Sequence, residues 1–205
     1  MPKLTAIRKQ ALNEMMKEAI YDATIAVMTE FGVDGLTMDR VAAEAGVAKG
    51  SLYHYFESKR YLIEFVFTKT IAPIEQDLEE IATKEQPAVE KLAAHFRNLL
   101  EHIAERAQVH KLLFEDETAH GLLHPLERRL MDVACRRMAA VFRQGMDEGA
   151  FRPGDPLMLA NMYFGLCKAV LQTEPELAEP DQREKIHHLL IDTFLNGIAT
   201  QNGRV

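Results

Sequence analysis

Apolar side chains recur three and four residues apart along most of this chain, and almost no stretch alternates apolar with polar. Leu12, Met16, Ala19, Ile20, Ala23, Val27 and Phe31 form the first stripe, and Leu92, Phe96, Leu99, Leu100 and Ile103 form a later one. That period puts each set on one face of a helix and leaves little room for half-buried strands. The fold class expected is all-α, with about nine helices by periodicity.

Punctuation divides the stripes. Gly32 can end the first helix with a left-handed residue. Thr37 is placed to cap a short helix carrying Val41, Ala42 and Ala45, with Asp39 in its first turn to suit the positive end of the helix dipole. Gly46 breaks it, and a second short helix starts near Lys49 with Leu52, Tyr55 and Phe56. Ser58 is placed to cap a longer helix through Leu62, Phe65 and Val66, which Pro73 is expected to end or kink. Pro87 opens the next helix. A shorter segment covers 111–120, and a long helix runs from Pro125 to Met146 with Gly149 closing it. The turn-rich run Phe151-Arg152-Pro153-Gly154-Asp155-Pro156 precedes Leu157–Leu171, a helix apolar on nearly every side. A loop with Pro175 follows, and Asp181 is placed to cap a last helix with Ile186, Leu190, Phe194 and Ile198.

Composition narrows the function classes. The 205 residues are 47% hydrophobic and 27% charged, the balance of a soluble globular chain of one or two domains. Leu157–Leu171 is shorter than the roughly 18–20 residues a membrane-spanning helix needs. Two cysteines, Cys135 and Cys167, build neither a secreted disulfide framework nor a four-sulfur metal site, so a reducing cytoplasm is expected. Met1–Gln10 is polar and shows no signal peptide. No Gly-x-Ser-x-Gly elbow, P-loop or Gly-x-Gly-x-x-Gly is present; the chain is not expected to be an enzyme, and no cofactor is expected. The net charge of −7 belongs to residues 71–205, with 15 Lys/Arg against 22 Asp/Glu, whereas residues 1–70 balance at 9 and 9. Within the neutral part, Lys49, Lys59 and Arg60 face only Glu57, a local cationic surface that keeps nucleic acid open as a partner.

The stretch from Thr37 to Lys59 carries the most information. Two short helices around a glycine form the outline of a helix-turn-helix unit. Ala42, four residues before Gly46, is small enough for the helices to approach closely, and Val47 and Leu52 supply the core between them. The second helix then offers a polar N-terminal face of Lys49, Gly50, Ser51, Tyr53 and His54 to a major groove. The helix starts at Thr37 and Lys49 suit phosphate, and Lys59 adds a further donor. The alternative is a helical protein-interaction module that never touches DNA; it leaves the crowding of exposed aromatics and lysines unexplained.

Gly46-Val47-Ala48-Lys49-Gly50-Ser51-Leu52-Tyr53-His54-Tyr55-Phe56-Glu57-Ser58-Lys59, with Thr37 upstream and Leu62 downstream, resembles the DNA-binding unit of the TetR family of bacterial transcriptional regulators. The resemblance implies a three-helix N-terminal domain at 1–58 and a C-terminal effector-binding and dimerisation domain at 59–205. It implies a homodimeric repressor on a palindromic double-stranded operator, released by a small-molecule effector. By the same resemblance Thr37, Lys49, Tyr53, His54 and Lys59 contact phosphates and Gly50 and Ser51 lie near base edges, whereas Tyr55 and Phe56 share one side of the helix with Leu52 and are expected in the core. Two positions depart from the family pattern: Ala48 stands where Ser or Thr is common, and Arg60-Tyr61 where acidic residues often stand.

The C-terminal part is less specific. A helix apolar all round is buried on several sides, so Leu157–Leu171 and 183–199 are expected to pair with a second copy. Phe96, Leu99, Ile103, Phe114, Met138, Phe142, Met162 and Phe164 are the candidate lining of a partly apolar effector pocket, unless they simply fill the core. His95, His102, His110, His120 and His124 with Glu115 are candidates for a polar ligand or a metal, although no His-Glu-x-x-His zinc pattern is present and no metal site is expected.

Overall fold

The computed structural model describes residues 4–173 and 179–198. The loop predicted around Pro175, the ends of the predicted domains at 1–3 and 199–205, and residue 199 of the expected dimer face lie outside the described residues. Among those described are nine helices: α1 Leu4–Phe31, α2 Met38–Glu44, α3 Lys49–Tyr55, α4 Lys59–Thr83, α5 Ala88–Glu105, α6 Ala107–Phe114, α7 Glu117–Asp147, α8 Pro156–Thr173 and α9 Pro180–Ile198. No described helix is long and apolar enough to cross a membrane.

Local signals explain most boundaries. Gly32, Gly46 and Gly149 take φ of 71°, 65° and 71° and end α1, α2 and α7 in the left-handed region that side chains resist. Thr37 caps α2, its hydroxyl accepting from the Arg40 N–H at 3.3 Å. The Asp155 carboxylate accepts from the Leu157 and Met158 N–H groups at the start of α8. Asp116 does the same for Ala119 at the start of α7.

Four boundaries differ from the sequence reading, the first being the segment expected at 111–120, which is split between α6, ending at Phe114, and α7, starting at Glu117. Pro73 neither ends nor breaks α4, which continues to Thr83, and α7 starts eight residues before Pro125 rather than at it. A proline inside a helix removes one hydrogen bond at a cost of about 3 kcal/mol. Burial of Leu78 and Ile81 beyond Pro73, and of Ala119 and Leu123 before Pro125, outweighs that loss. Asp181 sits in the first turn of α9, which begins at Pro180, and so favours the dipole without being the cap.

The chain forms two compact units. The first comprises the residues up to Thr70 together with Gln108–Leu126. Ile20, Val27 and Met28 of α1, Val41 of α2, Leu52 of α3, and Leu62, Ile63 and Val66 of α4 are nearly or wholly shielded there. Each such side chain contributes roughly 1.5–3 kcal/mol. The sequence reading ends the N-terminal domain at residue 58, whereas this packing unit runs on to Thr70, because Phe65 meets Phe56 and Tyr21, and Thr70 Oγ1 lies 3.2 Å from the Tyr21 hydroxyl. Gln108 to Leu126 joins it through Phe114 against Phe67 and through the Thr118 hydroxyl, which donates to Asp34 at 2.7 Å.

The second unit comprises Ile71–Ala107 and the residues from Glu127 onward. Its core gathers Leu92, Phe96 and Leu100 of α5, Met138 and Phe142 of α7, Tyr163 and Cys167 of α8, and Leu190 and Phe194 of α9 around Phe151. Gly145 of α7 is required there, since a Cβ at that position would collide with the Phe151 ring. Lys91 is buried but satisfied: its ammonium donates to the Ala82 carbonyl at 3.0 Å and to Gln144 Oε1 at 2.8 Å. Gln144 in turn donates to the Gln86 carbonyl, and Glu148 accepts from the Ala88 N–H, which holds its carboxyl below the usual range.

Candidate nucleic-acid interface

In the first unit α1 packs on α2 and α2 on α3. Leu52 is completely buried and anchors α3, so the opposite side of that helix faces outward. Lys49, Gly50, Ser51, Tyr53 and His54 are all exposed on it, Tyr53 by 43%. Thr37 is exposed beside them at the start of α2. Phe56 is buried and Tyr55 half-buried, so the two aromatics assigned to the core separate from the two assigned to the surface.

The cations on this face are held. The Lys49 ammonium lies 2.6 Å from Asp39 Oδ1 across the turn, and this pairing raises its pKa. Lys59 donates to the Asp34 carbonyl at 3.2 Å. Arg60 pairs with Glu64 one turn on. Arg40 donates to the Gly35 carbonyl at 2.5 Å and lies over the Phe31 ring, which fixes the approach to α2; sequence reading passed over this clamp, whose only signal is the single arginine three residues after Thr37. α3 begins at Ala48 without a side-chain cap, so its first N–H groups are left to a ligand or water.

The candidate pocket residues are divided. Phe96, Leu99, Met138 and Phe142 lie in the buried core of the second unit, with Ile103 and Phe164 packed against it. Phe114 belongs to the first unit, and Met162 is 58% exposed. Within that core His95 Nδ1 is 2.8 Å from the Tyr163 hydroxyl, while its Nε2 has no partner. Burial lowers the His95 pKa to about 4 and raises that of Tyr163. Burial also pushes the Cys167 thiol up to about 12, leaving it an inert packing group.

The remaining histidines have separate surroundings. His102 Nε2 lies 2.6 Å from Asp77, to which Asn98 also donates. His110 stacks on Phe114, and His120 meets His124 one turn on. Sequence reading missed a further group on α9, Glu184, His187 and His188, whose signal was the spacing i, i+3, i+4. His187 is buried, and burial lowers its pKa.

Comparison with known proteins finds relatives of both parts of the chain. Residues 20–66 match the family model of bacterial regulatory proteins of the tetR family, and residues 85–172 match that of the tetracyclin repressor-like C-terminal domain. The chain is 26% identical over 192 residues to the HTH-type transcriptional regulator YhgD of Bacillus subtilis, covering 89% of this chain and 96% of that one. It is 41% identical over 49 residues to IcaR of Staphylococcus aureus, a negative regulator of a biofilm operon, covering 24% of this chain and 26% of IcaR. The fold is similar to that of SmeT, the repressor of a Stenotrophomonas maltophilia multidrug efflux pump, solved in complex with triclosan, with TM-score 0.76, 23% identity and coverage of 93% and 95%. With both its N-terminal and C-terminal parts matched and a helix-turn-helix at residues 38–55, this chain belongs to the TetR family of bacterial transcriptional regulators.

Proposed function

We propose that this regulator is a homodimeric repressor that sets α3 of each copy into successive major grooves of a palindromic operator, and that a small, partly apolar molecule releases it. The observation that carries the DNA reading is the outward face of α3: Lys49, Gly50, Ser51, Tyr53 and His54 exposed on a helix anchored by the buried Leu52. Lys49, Tyr53, His54, Lys59 and the start of α2 at Thr37 supply phosphate contacts, and Gly50 and Ser51 supply the approach to base edges. Gly50 supports this role independently. A Cβ there would meet nothing in the chain itself, so a residue that costs a helix roughly 0.5–1 kcal/mol has no internal reason to be glycine.

The homodimer rests on α8, where Leu157, Met158 and Met162 are exposed by 47%, 61% and 58%, together with Leu189 of α9 at 70%. The effector reading rests on the apolar second core, which holds Phe96, Leu99, Ile103, Met138, Phe142 and Phe164 and in which Phe164 meets both members of the polar pair His95–Tyr163 and Phe142 meets Tyr163. Phe114 and Met162 are less suited to that lining from their positions. Linkage requires the effector to favour a dimer with wrongly spaced recognition helices, and a coupling of about 1–3 kcal/mol changes DNA affinity roughly 5- to 150-fold. α4, which contributes to both units, is the element proposed to carry the shift. A protein that acts on operator DNA works in the bacterial cytoplasm.

Selection of bound duplexes from a random pool tests this. A palindrome with half-sites about 34–36 Å apart supports it. Failure to retain any duplex in dilute buffer rejects it in favour of an interaction module without DNA contact.

A further inference from the structure

The geometry points to a site for a divalent transition-metal ion of the zinc type on α9, formed by Glu184, His187 and His188. One donor atom from each of the three lies within 4.8 Å of the others. Glu184 Oε1 and His188 Nε2 are already 2.9 Å apart. The site has a built member. His187 is only 4% exposed, and its Nε2 lies 2.9 Å from the Ala93 carbonyl on α5. A carbonyl only accepts, so the ring proton sits on Nε2 and Nδ1 is left as a bare lone pair. That Nδ1 is buried and has no partner. Metal-binding histidines characteristically donate their other ring N–H to a carbonyl or carboxylate, which fixes the tautomer and the ring plane. The Phe96 ring, stacked at 6.0 Å and 17°, fixes the plane further.

The donor set selects the ion. Two imidazoles and one carboxylate suit zinc, cobalt or nickel, whereas calcium and magnesium prefer oxygen cages. Three protein ligands leave a fourth position open to water or an anion. Donor atoms around a tetrahedral ion stand about 3.3 Å apart, given metal–ligand lengths of roughly 2.0–2.1 Å. Glu184 and His188, with side chains 53% and 73% exposed, are free to close that difference while His187 stays fixed. Bound metal then braces α9 to α5 through His187.

The test uses the full-length, untagged, metal-free protein and Co2+ as a spectroscopic probe. The expected result is a visible d–d band of tetrahedral Co2+ that saturates at one equivalent per chain and bleaches when Zn2+ is added. E184Q and H188A change exposed side chains and leave the fold intact by circular dichroism; each weakens Co2+ binding at least about tenfold, no less than loss of an outer hydrogen-bond partner typically costs. H187Q keeps a donor toward Ala93 while removing the lone pair, and it abolishes the band; should it fail to fold, the two exposed variants decide the matter. H120A/H124A, which removes the other closely spaced histidine pair, leaves the band unchanged. No band in the wild type, or a band that survives E184Q/H188A and disappears in H120A/H124A, overturns the assignment. The readout is optical and independent of DNA.

Discussion

The Lys49 ammonium sits 2.6 Å from Asp39 Oδ1, tying the first residue of α3 to the first turn of α2. Both side chains are more than half exposed, so the pair itself adds little stability. In the proposed DNA complex its consequence is for binding, because a phosphate would have to compete with Asp39 for the lysine. D39N is expected to tighten binding to every duplex, most at low salt. K49A is expected to weaken binding to all sequences alike and to reduce the slope of log affinity against log salt by about 1. Fluorescence anisotropy across a salt series reads both, and a sequence-dependent loss in K49A would reassign Lys49 to base recognition.

Gly50 separates folding from binding. Alanine there meets open space, so G50A is expected to raise the stability of the first unit by roughly 0.5–1 kcal/mol while weakening operator binding. Urea unfolding and anisotropy on the same preparation give the two signs. A variant that is more stable and binds unchanged would show that no DNA atom approaches that backbone.

His95 makes the second core sensitive to acid. Its folded pKa of about 4 lies below the ordinary histidine value near 6.5 because burial disfavours the charged ring. Between those values the unfolded chain binds the extra proton, so stability is fully present above about 6.5 and declines as pH falls toward 4, by an amount on the order of 3 kcal/mol. Urea titrations at stepped pH are expected to show that decline in the wild type and a flatter profile in H95Q. Y163F removes the partner of His95 Nδ1 and is expected to cost about 1–3 kcal/mol at neutral pH.

The exposed methionines of α8 test the assembly. Met158 and Met162 lie one turn apart with side chains largely open. M158E/M162E is expected to convert a dimer into a monomer in sedimentation velocity at micromolar concentration and to leave helicity unchanged. Wild-type protein that sediments as a monomer would remove the dimer from the account.

Much of the molecule was legible from spacing alone. Helices show their period directly, and Thr37, Gly32, Gly46 and Gly149 mark ends through chemistry that acts within one turn. The polar face of α3 was readable for the same reason, since Leu52 and its neighbours fix which side of a seven-residue helix turns inward. Pro73 and Pro125 misled because a local penalty of one hydrogen bond is small beside the burial of the residues around it.

What spacing could not supply is the partner of each polar group. The sequence determined that the chain is helical, where α3 begins, and which side chains that helix presents. Only the tertiary structure decided that Lys49 is held by Asp39, that His95 faces Tyr163 across the second core, and that His187 turns one ring nitrogen to the Ala93 carbonyl and leaves the other bare. The physical reason is range. Helix periodicity and capping are set by residues within about four positions of one another, whereas the last two of these pairings join residues 68 and 94 positions apart and exist only once the cores have closed.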